Sequence, residues 1–375
     1  MAFYLEKDFF EDVELFNLVT KVMSGDLTLH WYDAKTERVR ISPKDPSRGL
    51  TYEDCNIGSY SYDRLPELIR TNYSMAPRGS ELWGKLPDLG YTINRKSDVW
   101  ADNVAALYEE AKARRWAPAV DVPWADLAVA SLPEPVEAAM AQLCTFLQEC
   151  ATVEMSIAAQ WVYSINQEFL ELKSYLSAQI FDQARHIEAF RKRALAGGQG
   201  LKRASVTAEQ ALKEILSVET YPAGSVVGNL MLGSFLLGLY RHVAAVAPSP
   251  ADFILFRFVM QDAARVVAYG SGNLRYHLTH QPQEVNVLHE YLDSAEHCLL
   301  GLIGSQECLE PLIILSGGGS TEEQVRVGCQ RVGRLLAQTV SEYLERCERA
   351  GLTKRAERSR LPQYLQRMGI EGRET

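Results

Sequence analysis

The sequence predicts an all-α protein whose heart is a helical bundle. Three observations carry that prediction. From Asp98 onward, long and nearly proline-free stretches place apolar residues at helical spacing. Only short loops separate these stretches, which makes neighbouring helices antiparallel. A short pattern also recurs, with Phe181-Asp-Gln-Ala-Arg-His-Ile187 answered by Gln261-Asp-Ala-Ala-Arg-Val-Val267. Asp182 matches Asp262, Ala184 matches Ala264 and Arg185 matches Arg265, each pair 80 positions apart. A long apolar helix precedes each copy, as expected of a duplicated helical hairpin.

Residues 1–97 have mixed character. Asp26 to Ile41 alternates in part and is rich in aromatic and β-branched residues. It reads as a hairpin turning near Asp33 and Ala34 or as an extended arm. Pro43, Pro46, Pro66, Pro77 and Pro87 punctuate the remainder of this region. Val99 to Trp116 has helical spacing and runs from acidic to basic, which suits the helix dipole. Helices are then expected over Pro135–Ile165, Gln167–Leu195, Thr207–Val218, Ser225–Val246, Pro250–His280, Val285–Leu312 and Thr321–Ala350. The glycine run after Ser316 lacks a preceding strand and a phosphate-loop lysine, so it reads as a linker. Ser320 or Thr321, with Glu322 and Glu323 next in the chain, supplies the cap of the last helix. The expected division is an extension over 1–97, the bundle over 98–312, and a C-terminal helix and tail over 313–375.

A chain of 375 residues with 47% apolar content can bury a sizeable core. A net charge of -9 argues against nucleic acid as a partner, because phosphate backbones call for clustered Lys and Arg. The seven cysteines have no CxxC spacing and read as reduced thiols in core packing. The acidic start MAFYLEKDFFEDVELF lacks the basic region of a signal peptide, so a cytoplasmic location is expected. The apolar run from Val226 to Tyr240 falls short of the roughly 20 residues of a membrane span and reads as a buried core helix.

With DxARH on a long helix, and a Glu about thirty residues before it inside an apolar helix, the chain resembles the ferritin-like di-iron carboxylate superfamily. That group includes ribonucleotide reductase small subunits and bacterial multicomponent monooxygenases. The trailing AYGSGNLRYHL of the second copy looks like members that read DEARH and then an AxG stretch. The resemblance covers roughly residues 100–285. It implies a ferritin-like four-helix bundle with an N-terminal extension and additional C-terminal helices.

In that pattern each half supplies one Glu and then a Glu-x-x-His. Carried over, the first half gives Glu154, Gln183 and His186, and the second gives Gly233, Ala263 and Val266. Glu154 shares an apolar stripe with Leu147, Cys150, Ile157 and Trp161; Gln183 shares one with Leu176, Ile180, Ile187 and Phe190. No acid occurs between Thr220 and Ala251. Glu219 lies about four helical turns from Gly233, too far to substitute. The resemblance also implies that Asp182 braces His186, with Arg185, Asp262 and Arg265 as further support, Asp262 turning to an arginine.

Two divalent ions need several carboxylates around them, and only one remains here. The expectation is therefore no cofactor, with Glu154, Gln183 and His186 hydrogen-bonded to one another, and iron or manganese on those three residues as the alternative. The expected role is a non-catalytic structural or regulatory subunit of an oxygenase-type complex. Its partner would be a second copy or a metal-bearing paralogue. The rival role is a monooxygenase or hydroxylase with an altered, mononuclear site. A third reading makes the bundle core a ligand pocket. Tyr240 and Tyr269 flank the site, and His277, His280, His289 and His297 form no recognised motif.

Overall fold

The computed structural model describes residues 8–26, 36–70, 75–81 and 89–370. The chain divides into two compact units, Met1–Asn94 with Ser164–Phe169, and Arg95–Tyr163 with Leu170–Thr375. No named strand forms among the described residues.

In the first unit, α1 (Val13–Met23) starts at Asp12, whose side chain accepts from the Glu14 and Leu15 amides. Its apolar Val13, Phe16, Val19 and Met23 are exposed. Short 3-10 turns come after it. The turn expected near Asp33 and Ala34 lies outside the described residues, and Thr36 to Ile41 forms no strand. The Ile93 amide donates to Ser164 O at 3.0 Å, and the Asn166 amide donates back to Ile93 O at 3.0 Å.

The second unit is helical. Its elements are α2 (Lys96–Val99), α3 (Val104–Ala113), α4 (Ala125–Ala130), α5 (Glu134–Val162), α6 (Leu170–Ala196) and α7 (Val206–Leu216). Next comes α8 (Tyr221–Gly224), a π-helical segment (Ser225–Leu232) and α9 (Gly233–Ala245). It closes with α10 (Pro250–His280), α11 (Val285–Ile303), α12 (Gln306–Gly317), α13 (Glu322–Arg349), α14 (Arg355–Arg358) and α15 (Leu361–Arg367). Local chemistry sets the starts. Ser205, Ser249 and Thr321 each accept an amide of the first turn, and Pro250 sits where its missing N–H costs nothing.

Four long elements form the bundle. One pair is α5 and α6; the other is the π segment with α9 against α10. Outside them, α12 covers α5, and α13 covers α9 and α12. Leu147, Phe190, Leu230, Leu236, Phe256 and Val259 are fully buried between the pairs. Each such side chain contributes about 1.5–3 kcal/mol on leaving water. Near one end, Arg193 of α6 donates two bonds to Glu137 of α5, at 2.6 and 2.9 Å, and also binds Asp252 of α10.

Three helices differ from the sequence expectation. The helix expected over Val99–Trp116 is broken at Trp100–Asn103. Side chains of α10 explain the break, because they take carbonyls that a helix would bond internally. Tyr269 Oη donates to Val99 O at 2.8 Å, Asn273 Nδ2 donates to Trp100 O at 3.1 Å, and His277 Nδ1 lies 3.1 Å from Ser97 O. The helix expected over Val285–Leu312 bends by 58° after Ile303. Gly304 weakens it there, and Ser305 Oγ turns back to Leu302 O at 2.8 Å. The third carries the π segment, which lies close to α10. A methyl group on Gly270 would come within 2.9 Å of the Leu230 amide nitrogen. By length and composition Tyr221–Ala245 is long enough to cross a membrane, and 94% of its apolar window is buried within the protein.

Candidate metal-site region

The site lies at mid-bundle, where α5, α6, α9 and α10 meet. Glu154 projects from α5, and Gln183 and His186 from α6; all three are buried. Across from them, Gly233 opens α9, and Ala263 and Val266 stand on α10. A methyl group on Gly233 would touch Val267 Cγ2 at 3.3 Å and Val266 Cγ1 at 3.5 Å. The second half of the region is therefore filled with hydrocarbon at packing distance. The room a ligand would need beside Gly233 is taken by these two valines.

The first half is polar and unsatisfied. Neither Glu154 oxygen, neither polar atom of the Gln183 amide, nor His186 Nδ1 has a hydrogen-bond partner. Ser234 Oγ and Tyr240 Oη are also buried and unpartnered. The expected mutual hydrogen bonding of Glu154, Gln183 and His186 does not close. Burial raises the Glu154 carboxyl to about 8, and the neighbouring Gln183 amide offsets only part of that rise. Such an acid is neutral near pH 7 unless a cation joins it.

His186 is held from its other side. Its Nε2 lies 3.1 Å from Asp262 Oδ2. A carboxylate only accepts, so Nε2 carries the ring proton, and in the neutral ring Nδ1 is a bare lone pair. Trp116 Nε1 donates to the same Asp262 oxygen at 2.8 Å, and Arg185 Nη2 reaches it at 3.2 Å. Arg265 Nη2 donates to Asp182 Oδ2 at 2.7 Å and also binds Asp262. Arg185 pairs with Asp182 and donates to Trp116 O at 2.7 Å. Asp262, not Asp182, thus braces His186. The two copies of the repeat face each other, so each aspartate reaches across the bundle. Burial alone would raise the Asp262 carboxyl, but bonds from His186 and Trp116 and the charge of Arg265 hold it below the ordinary range.

Sequence reasoning missed Trp116 as a member of this network. It sits just past a basic helix end and precedes a proline two residues on, the only signal available. Tyr240 does stand beside the site, its ring centroid 6.3 Å from that of His186. Tyr269 belongs elsewhere, bonded to Tyr221 and Val99. The later histidines form no joint site. His277 and His280 bind Ser97 O and Tyr276 O, and His289 lies 3.2 Å from Thr353 O. Among the described residues no three His, Cys, Asp or Glu side chains gather as a metal-binding group.

No family model matches the chain, and no curated protein matches its sequence. Solved structures do match its shape. An R2-like ligand-binding oxidase variant with a Mn/Fe cofactor is 18% identical, at a TM-score of 0.53, covering 68% of this chain and 96% of that one. Another variant of that oxidase, with an Fe/Fe cofactor, is 17% identical at a TM-score of 0.52, covering 68% and 95%. The chain therefore has the all-α, ferritin-like bundle fold of the R2-like oxidases.

These structures correct one expectation. The sequence led us to expect no cofactor, yet the proteins that share this fold carry Mn/Fe or Fe/Fe cofactors. An empty core does not follow from the fold. The residues present do not fit a pair of ions, because Gly233, Ala263 and Val266 offer no donor and one carboxyl cannot balance four positive charges. They do suit a single ion in kind. The Glu154 carboxylate, the Gln183 carbonyl and His186 Nδ1 are buried and unpartnered.

Proposed function

We propose that this chain is a structural or regulatory member of an oxygenase-type assembly and not its oxygen-activating chain. The single observation behind this reading is the packing of Val266 and Val267 against Gly233. It leaves Gly233, Ala263 and Val266 without a metal donor, while the Asp182–Arg185–Asp262–Arg265 frame around them stays intact. The partner is a second copy or a metal-bearing relative of the same fold, docked through the bundle, in the cytoplasm. The exposed apolar side chains of α1 support a role in assembly.

A second reading rests on the bare Nδ1 of His186. In it, Glu154, Gln183 and His186 hold one iron or manganese ion, and the chain is an oxidoreductase of the monooxygenase or hydroxylase kind. The ion would supply redox chemistry. The chain's part is to fix the imidazole through Asp262 and to keep water out with Phe190 and Tyr240, whose rings pack against His186, and with Phe256 behind them.

Light scattering after gel filtration, with metal analysis of protein grown in iron and manganese, separates the two. The first reading expects twice the 42.0 kDa chain mass, or a complex with a relative, and no oxygen uptake by the chain alone. A monomer that consumes dioxygen overturns it. About one ion per chain, abolished in His186→Ala, establishes the second.

A further inference from the structure

A cleft of about 280 Å³ lies between α10 and α13, away from the bundle core. Arg275, Arg346 and Arg349 line it together with Asn103, Ser271 and Gly272, and no acidic side chain is among the lining residues. This is notable in a chain of net charge -9. Arg346 uses Nη2 on Glu342 at 3.0 Å, but its Nη1 is buried and without a partner. Glu342 is shared with Arg241, so it does not neutralise Arg346 alone. Arg349 pairs with Glu345, and Arg275 has no carboxylate partner among the described residues.

Asn103 and Ser271 have the opposite character. Asn103 Nδ2 donates to Ala268 O at 3.1 Å, which leaves its buried Oδ1 as an unpartnered acceptor. Ser271 Oγ spends its hydrogen on Val267 O at 2.8 Å, so it too offers only lone pairs. Gly272 makes room for the Asn103 side chain, since a methyl group there would sit 2.8 Å from Asn103 Oδ1.

We propose that this cleft binds a small phosphorylated sugar or polyol. The arginines take the phosphate, whose several oxygens match guanidinium forks. Ser271 Oγ accepts from one of its hydroxyls. The volume is at the low end for ligand sites, which limits the ligand to about the size of a hexose phosphate. This site is independent of the bundle-core reading.

The test is calorimetric titration of the full chain with glucose 6-phosphate, inorganic phosphate, glucose and citrate. Glucose 6-phosphate is expected to bind saturably, about tenfold tighter than inorganic phosphate, with glucose silent. Arg275→Ala and Arg349→Ala, both at exposed positions, should each weaken it about tenfold with the circular dichroism spectrum unchanged. No saturable heat up to about 10 mM, or unchanged affinity in both variants, overturns the site. Equal binding of inorganic phosphate overturns the hydroxyl contact, and citrate binding as tightly as the sugar phosphate overturns the phosphate assignment.

Discussion

Replacing Asp262 with Asn tests the frame around His186. The Asp262 side chain is fully buried and holds bonds from Trp116, His186, Arg185 and Arg265. With Asp182, Arg185 and Arg265 it makes a quartet of two negative and two positive groups. The amide removes one negative charge, strands one positive charge in the core, and turns one acceptor into a donor that faces other donors. Breaking a buried pair in this way costs about 3–5 kcal/mol. In a unit of this size the midpoint of thermal unfolding should fall by on the order of 10 °C. Asp182→Asn breaks the same charge balance but spares the bonds from Trp116 and His186, so it should cost about 2 kcal/mol less. Urea unfolding followed by circular dichroism measures both. The pH dependence has a definite sign. The folded Asp262 carboxyl is lowered, so its contribution is complete above the unfolded value near 4 and is lost as pH falls through the folded one. An Asp262→Asn protein within about 1 kcal/mol of the parent, or one less damaged than Asp182→Asn, would refute the bracing argument.

Other changes rest on the same geometry. Because burial raises Glu154 from 4.5 to about 8, metal-stripped protein should lose stability as pH rises between those values. Glu154→Gln should flatten that slope and be more stable at pH 8.5 by on the order of 3 kcal/mol, as read from urea midpoints across pH; an unchanged slope refutes it. Gly270→Ala forces a methyl group against the π segment and should cost about 1–3 kcal/mol, whereas Gly301→Ala, with open space around it, should cost nothing measurable.

The bundle was legible because its signals are local and redundant. Helical spacing, prolines at first turns and the repeat of Asp182 and Arg185 at Asp262 and Arg265 all pointed one way. Of the six positions carried over from the resemblance, Glu154 adjoins Gln183, and Gly233 packs against Val266. The hidden features depend on contacts between distant segments. Nothing in Val99–Trp116 reveals that Tyr269 and Asn273 will claim its carbonyls. Likewise, the sequence puts Asp182 four residues from His186, and only the crossing of the two hairpins hands that histidine to Asp262. The π segment is invisible to periodicity, because the whole stretch is buried.

The ladder of Tyr269, Asn273 and His277 has a consequence for how the chain assembles. These side chains stand one turn apart and bond carbonyls from Ser97 to Trp100, more than 160 positions earlier. That early segment cannot settle until α10 has been synthesised and has folded. A ribosome-bound chain stalled before Ala268 should leave Val99 and Trp100 open to protease, and extension until all of α10 has emerged from the ribosome should close that window.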